Sequence, residues 1–336
     1  MLNGLNLSVF GSYSWKRNAT LLLVLLAGCS APKRGILIMA HGGDPGWNRD
    51  VEAVVEPLRS KYPTEIAFGM AQTSSIREAV SKLEARGVRE IAVVRMFVSG
   101  DSFVPATEYI FGLRNTPPVD PLASRGTESP STPRGQPVAM AHHAFVGTDH
   151  SGDHGDHAAH REHGDTDPHA GHHMEAPEPI RSSAQFVLSY EGVGESPLID
   201  EILVDRIESL SSDPTRESVL ILAHGPGNDA ENERWLANMN RRLQQLGEIG
   251  PFREIRCETL REDWPERRKE AERRIREFVE KAGQDGGRCL VIPFRVAGFG
   301  PYKEVLVGLD YVADERGFCP HPNMTKWIEE SAKKCW

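Results

Sequence analysis

Cysteine is scarce in this chain. Only Cys29, Cys257, Cys289, Cys319 and Cys335 occur among 336 residues, and none forms a CxxC pair. That excludes a structural zinc knuckle, which is built from closely spaced cysteines. Positive charge is in deficit as well: 39 Lys and Arg against 48 Asp and Glu leave a net charge of −9. No basic face can be read along the chain, so nucleic acid is excluded as a partner. Apolar residues make up 39% of the sequence. That is slightly low for a globular protein and points to a polar segment diluting an ordinary core. The length suffices for two domains.

The N-terminus reads as an export signal over residues 1–34. Lys16 and Arg17 form a short basic region, and Leu21 to Leu26 an apolar core far too short to span a bilayer. Leu26-Ala27-Gly28-Cys29 follows, then Ser30-Ala31-Pro32. Small residues before a cysteine at the end of a signal core resemble a bacterial lipobox. The resemblance implies lipidation of Cys29 and an exported protein facing the periplasm or cell exterior, its only membrane contact a lipid anchor.

Beyond residue 35 the chain says nearly the same thing twice. Ile36-Leu37-Ile38-Met39-Ala40-His41-Gly42-Gly43 returns as Leu220-Ile221-Leu222-Ala223-His224-Gly225-Pro226-Gly227. Continuous apolar runs of this kind suit strands buried on both faces. Each is followed by a helical pattern, a second strand, another helix and a third strand: 91–98 in the first half, 289–296 in the second. Strands alternating with helices imply a parallel sheet covered on both sides. Ser75 and Glu78 form a capping-box signature, and Asp263 and Glu266 are placed to cap the helix carrying Ile275 and Phe278. The second strand of each half is expected on one side of the first and the third strand on the other. Cys257 and Cys289 then stand ~9.5 Å apart, two strand spacings, beyond disulfide reach. The expected boundaries are 35–212 for the first domain and 218–336 for the second.

The repeat also locates an insertion. Leu306-Val307-Gly308-Leu309 is separated from Gly317 by 7 residues, whereas its counterpart Ile110-Phe111-Gly112-Leu113 is separated from Gly192 by 78. The extra stretch, about 114–183, lies inside the first domain, ahead of its last strand at 185–190. It holds His142, His143, His150, His154, His157, His160, His163, His169, His172 and His173, ten of the chain's 13 histidines. With aspartates interleaved it cannot form an apolar core, so it is expected to be disordered without metal and to capture divalent ions such as zinc, nickel, copper or cobalt.

His41 and His224 end their strands, where ligands bind in open parallel sheets. A histidine there can ligate a divalent metal or accept a proton. The glycines after each allow a sharp turn and close approach of a flat substrate. His41 is expected to dominate, because Asp44 follows it closely and could orient the ring or hold metal. His224 has no acid in its own loop until Asp229.

The strand–His-Gly openings, the duplicated α/β halves and the Gly-x-x-Pro-His-Pro start of the last helix resemble the sirohydrochlorin cobaltochelatase and ferrochelatase family, the class II tetrapyrrole chelatases. The resemblance covers roughly 35–113 and 184–336. It implies two tandem chelatase-like domains, each a small parallel sheet flanked by helices, facing across a cleft. It implies insertion of cobalt or iron, with nickel or zinc as further possibilities, into sirohydrochlorin or a related tetrapyrrole, with no organic cofactor. His41 and His224 are then the catalytic and metal-binding residues. The family's second active-site histidine, in a Gly-x-His setting, is missing: the chain reads Gly100-Asp101-Ser102 and Gly298-Phe299-Gly300. Asp101, Glu108 or Glu304 could supply oxygen ligands in its place. Arg295 and Lys303 are candidates for the substrate's carboxylates, and His321 for a helix cap. A different class of function follows from the same missing histidine: a non-catalytic envelope protein that binds or delivers metal.

Overall fold

Side chains that alternate between two cores along the first strand set up the architecture. In β1 (Arg34–Ala40), Ile36, Ile38 and Ala40 face one apolar core while Leu37 and Met39 face another. A strand buried on both faces needs a helical layer on each side. The computed structural model describes residues 32–118, 176–246 and 250–336. In order along the chain, β1 is followed by α1 (Pro45–Arg59), β2 (Thr64–Phe68), α2 (Thr73–Ala85), β3 (Glu90–Met96), α3 (Val104–Ile110), β4 (Gln185–Leu188) and α4 (Leu198–Leu210). The second half runs β5 (Glu217–Ala223), α5 (Asp229–Leu246), β6 (Glu254–Thr259), α6 (Pro265–Ala282), β7 (Arg288–Phe294), α7 (Tyr302–Val305), β8 (Val312–Ala313) and α8 (Pro322–Lys334).

The strands form two four-stranded parallel sheets, ordered β2-β1-β3-β4 and β6-β5-β7-β8. In each, the His-bearing strand is central. β5 therefore separates Cys257 on β6 from Cys289 on β7, and the thiols of Cys257, Cys289, Cys319 and Cys335 are unbridged.

The two sheets share one core. Ile36 and Ile38 of β1 and Val219 and Ile221 of β5 belong to the same buried cluster, with α1, α4, α5 and α8 between them. The outer faces are covered separately, by α2 on the first sheet and α6 on the second. The inner helices exchange places. α4, from the first half, packs on β7 and α5; α8, from the second, packs on β3 and α1. Side chains lock the exchange. Arg206 of α4, buried, donates from Nε to the Gly317 carbonyl at 3.1 Å and from Nη2 to the Pro320 carbonyl at 3.0 Å. Thr325 of α8 donates to the Val54 carbonyl in α1 at 2.7 Å. The described residues from Lys33 to Trp336 thus form one compact unit.

Several local expectations change. α2 starts at Thr73, so Ser75 lies inside the helix and donates to the Gln72 carbonyl at 3.1 Å instead of forming a capping box. α6 starts at Pro265 after Trp264, and no side chain caps it. Residues 176–183, expected within the insertion, dock on the first lobe: the Ile180 amide donates to the Ile110 carbonyl at 2.8 Å and the Glu178 amide to Thr73 Oγ1 at 3.1 Å. Cys29 and all ten histidines from His142 to His173 lie outside the described residues. No described helix is long and apolar enough to cross a membrane.

Candidate metal centre

His41 and His224 are the first residues beyond β1 and β5. Each ring is held by its own loop: His41 Nδ1 lies 2.8 Å from the Gly42 carbonyl, and His224 Nδ1 2.7 Å from the Gly225 carbonyl. Gly42 and Gly225 reach this geometry at φ +79 and +76, a left-handed conformation that residues with a Cβ rarely adopt. Gly43 and Gly227 have a different role from the one expected. A Cβ on Gly43 would stand 3.0 Å from the Trp47 ring, and one on Gly227 would overlap the Trp264 indole. Indole rings, not a substrate, fill the space these glycines leave. Trp47 lies 6.4 Å from His41 and Trp264 lies 6.1 Å from His224, centroid to centroid.

The acids gather at His224. The loop after β6 delivers Glu262 and Asp263, because β6 pairs with β5 and its carboxyl end opens beside the histidine. Asp263 Oδ2 lies 3.2 Å and Glu262 Oε2 3.8 Å from His224 Nε2. Behind them, Glu262 forms an ion pair with Arg295, whose guanidinium sits over the fully buried Tyr302 ring at 5.5 Å. Burial opposes the charged form of His224, but the hydrogen bond to Asp263 and the charges of Glu262 and Asp263 outweigh it and raise the pKa above 6.5.

The hydrogen-bond chemistry of this ring is restrictive. A carbonyl only accepts, so Nδ1 carries the hydrogen. In the neutral ring Nε2 would then aim a lone pair at two carboxylate oxygens. A cation has to stand there, either a proton on Nε2 or a metal ion. Two donors each ~2.1 Å from one ion stand roughly 3.0–3.4 Å apart at octahedral or tetrahedral angles. The 3.2 Å separation of His224 and Asp263 falls in that range. Glu262 is farther out, and among the described residues no three His, Cys, Asp or Glu donors are gathered at metal spacing.

The remaining expected site residues lie elsewhere. Asp44 is the N-cap of α1: its Oδ1 accepts from the Gly46 amide at 2.6 Å and the Trp47 amide at 3.0 Å. Capping α1 thus takes up Oδ1 of the carboxylate that the sequence offered to His41. Arg295 is committed to Glu262 and largely buried, so it is not an open clamp for substrate carboxylates. Lys303 pairs with Glu315 at 2.9 Å on the surface. Asp101 faces Arg234 at 3.6 Å, Glu108 accepts from the Tyr190 hydroxyl at 3.1 Å, and the exposed Glu304 lies 4.0 Å from Arg268. His321 caps α8, accepting the Asn323 amide at 3.1 Å, as its place before Pro322 implies. Two cavities, of about 210 and 180 Å³, are lined by neither histidine.

Comparison with known proteins agrees with this architecture. The model of the CbiX family matches residues 35–101. SirB from Bacillus subtilis with Fe3+ superposes with a TM-score of 0.54 at 14% identity, covering 90% of this chain and 95% of SirB. DR2241 from Deinococcus radiodurans, a multi-domain protein with structural similarity to chelatases and two additional novel domains, gives a TM-score of 0.50 at 15% identity. The match covers 90% of this chain but 55% of DR2241. The sirohydrochlorin chelatase SirB from Bacillus subtilis subspecies spizizenii in complex with cobalt is 14% identical, with a TM-score of 0.49. No curated protein matches. The resemblance to class II chelatases is borne out by the CbiX match and by the fold, which is the two-lobed α/β fold of SirB.

Proposed function

We propose that the protein holds a divalent metal ion at His224 Nε2 and Asp263, with Glu262 as the buried counter-charge, and passes it to a tetrapyrrole such as sirohydrochlorin. The observation that carries this reading is His224 Nε2 facing two carboxylate oxygens, 3.2 Å from Asp263 and 3.8 Å from Glu262, a place a metal ion can take once the ring has given up its proton. Cobalt and iron are the metals suggested by the SirB structures. Insertion of M2+ releases two pyrrole protons. Asp263, about a third exposed, is the group able to pass one of them to water once the metal has left it. The metal is substrate here, so the site has to bind it and let it go.

A second reading has its own observation. Positions 102 and 300, where the family carries another histidine, are Ser and Gly. A site with one imidazole suits a binding or delivery protein on the same fold. Cys29 and the His-rich stretch accord with an exported, lipid-anchored form of either. Mixing the purified protein with sirohydrochlorin and Co2+ or Fe2+ decides between them. Metallated absorbance bands that disappear in His224→Ala establish the chelatase. Metal bound at His224 without those bands establishes delivery. Wild-type metal affinity in His224→Ala rejects both. Palmitate labelling lost in Cys29→Ser tests the anchor.

A further inference from the structure

Trp264 stands apart from the other tryptophans of the described residues. Trp327 lies in the core that the two sheets share, and Trp47, Trp235 and Trp336 pack against it. Trp264 belongs to none of the three apolar clusters of the described residues. It is half-buried, directly follows Asp263 and opens α6 as its N-cap residue. Its seat is the backbone of Gly227: a Cβ there would overlap Cε2 and Nε1 of the indole and displace the ring. An indole carries a large apolar surface, and a place outside the cores forgoes much of the burial that ordinarily stabilises it. The ring it does meet is His224, 6.1 Å away centroid to centroid and inclined by 88°. That angle bears on metal transfer. A metal ion leaves an imidazole along the Nε2 lone pair, which lies in the ring plane. It enters a flat macrocycle along the normal to that plane, so the two planes have to be perpendicular. A macrocycle stacked parallel to the Trp264 indole meets this condition at His224. His41 and Trp47 do not offer it. Their planes are 57° apart, and Trp47 is packed on the shared core, edge-on to Phe68 at 6.4 Å.

We propose that Trp264 is the platform on which the tetrapyrrole lies, its indole stacked on the conjugated macrocycle and fixing the plane that His224 faces. The proposal rests on the reading of the site given above and adds the residue that carries the macrocycle. Stacking rewards a flat, conjugated partner beyond the burial of the two faces, because the π systems attract in an offset arrangement. A branched aliphatic side chain of similar apolarity supplies burial without that attraction. Trp264 therefore sets the preference for a planar substrate, while Gly227 keeps the indole in register with the histidine loop.

The test titrates the full chain with metal-free sirohydrochlorin in EDTA, followed by the macrocycle's own absorbance so that loss of an indole does not alter the signal. Trp264→Leu keeps apolar bulk but removes the π face, and it should weaken binding about tenfold or more. Trp264→Phe keeps a flat ring and should weaken it about threefold or less. Trp47→Leu should also stay within about threefold of the wild type, because Trp47 serves the core. If Trp264→Leu does not fold, Trp264→Met, which likewise lacks a ring, takes its place. Wild-type affinity in Trp264→Leu, equal losses in the Phe and Leu variants, or an equal loss in Trp47→Leu overturns the platform. A wild type that binds no sirohydrochlorin overturns the tetrapyrrole reading itself, a result distinct from binding that Trp264 does not influence.

Discussion

Replacing Arg206 with methionine should destabilise the whole protein by about 3–5 kcal/mol, the usual effect of breaking a buried charged network. Arg206 sits on α4, in the first half of the sequence, yet all its partners belong to the second. It donates to the Gly317 and Pro320 carbonyls at 3.1 and 3.0 Å and lies 3.5 Å from Asp314. Both members of that pair are almost fully buried, at 5% and 3% side-chain exposure. Methionine keeps the aliphatic packing but leaves two carbonyls without their donor. Each hydrogen bond to a charged group is worth about 1.5–3 kcal/mol. Asp314 keeps Arg316 as a partner at 2.7 Å, which holds the total near the range for a broken pair. For a chain of this size the loss lowers Tm by on the order of 6–15 °C. Calorimetry should show one cooperative transition before and after the change, because the sheets share a core and exchange helices. A shift below about 1 kcal/mol, or two transitions of which only one moves, would refute the exchanged-helix account.

At the candidate metal centre, burial lowers the pKa of His224 but Asp263 and Glu262 outweigh it and raise the value. The proton it holds therefore stabilises the fold below about 6.5, and that contribution is lost as pH rises through the raised value. On the proposed function metal takes the proton's place, so its affinity is expected to climb over the same interval. Asp263→Asn should move the midpoint of metal binding to lower pH and weaken the plateau by about 10–100-fold, read by calorimetry across pH. An unmoved midpoint would show that Asp263 does not act on His224. Glu217 is desolvated, but hydrogen bonds from Ser211 and Ser212 and the Arg288 ion pair hold its pKa down to about 2. Its contribution is present above the unfolded value of 4.5 and lost as pH falls towards about 2. Glu217→Gln should cost about 3 kcal/mol at pH 7 and flatten the acid limb of urea unfolding between those values. Deleting 120–175 should leave Tm within about 5 °C while lowering metal stoichiometry, since loop closure changes only slowly with length. Extending the deletion through 183 should destabilise the protein, because Ile180 and Glu178 bond to the first lobe.

The chain's own residues determined much of this. Uninterrupted apolar runs at 36–40 and 219–223 called for strands covered on both faces, and their repetition called for two such sheets. The place of His41 and His224 at the carboxyl ends followed, because a strand's direction is written in its sequence. His321 before Pro322 was readable as a cap for the same reason: capping is a contact between near neighbours. What the sequence could not show is what arrives from elsewhere. Asp44 looked like a partner for His41, but the nearest orphan amides, those of Gly46 and Trp47, claim it first. Asp263 looked like a helix cap, and nothing in the sequence singled out Glu262. Both reach His224 only because β6 lies beside β5, a pairing between residues 36 positions apart. Arg295 looked like a partner for the substrate's carboxylates, but it is paired with Glu262 in the space that the missing side chain at Gly300 leaves. The exchange of α4 and α8 lies farthest from the sequence. An amphipathic helix specifies that it must bury one face, and the geometry of the shared core decides which sheet receives it.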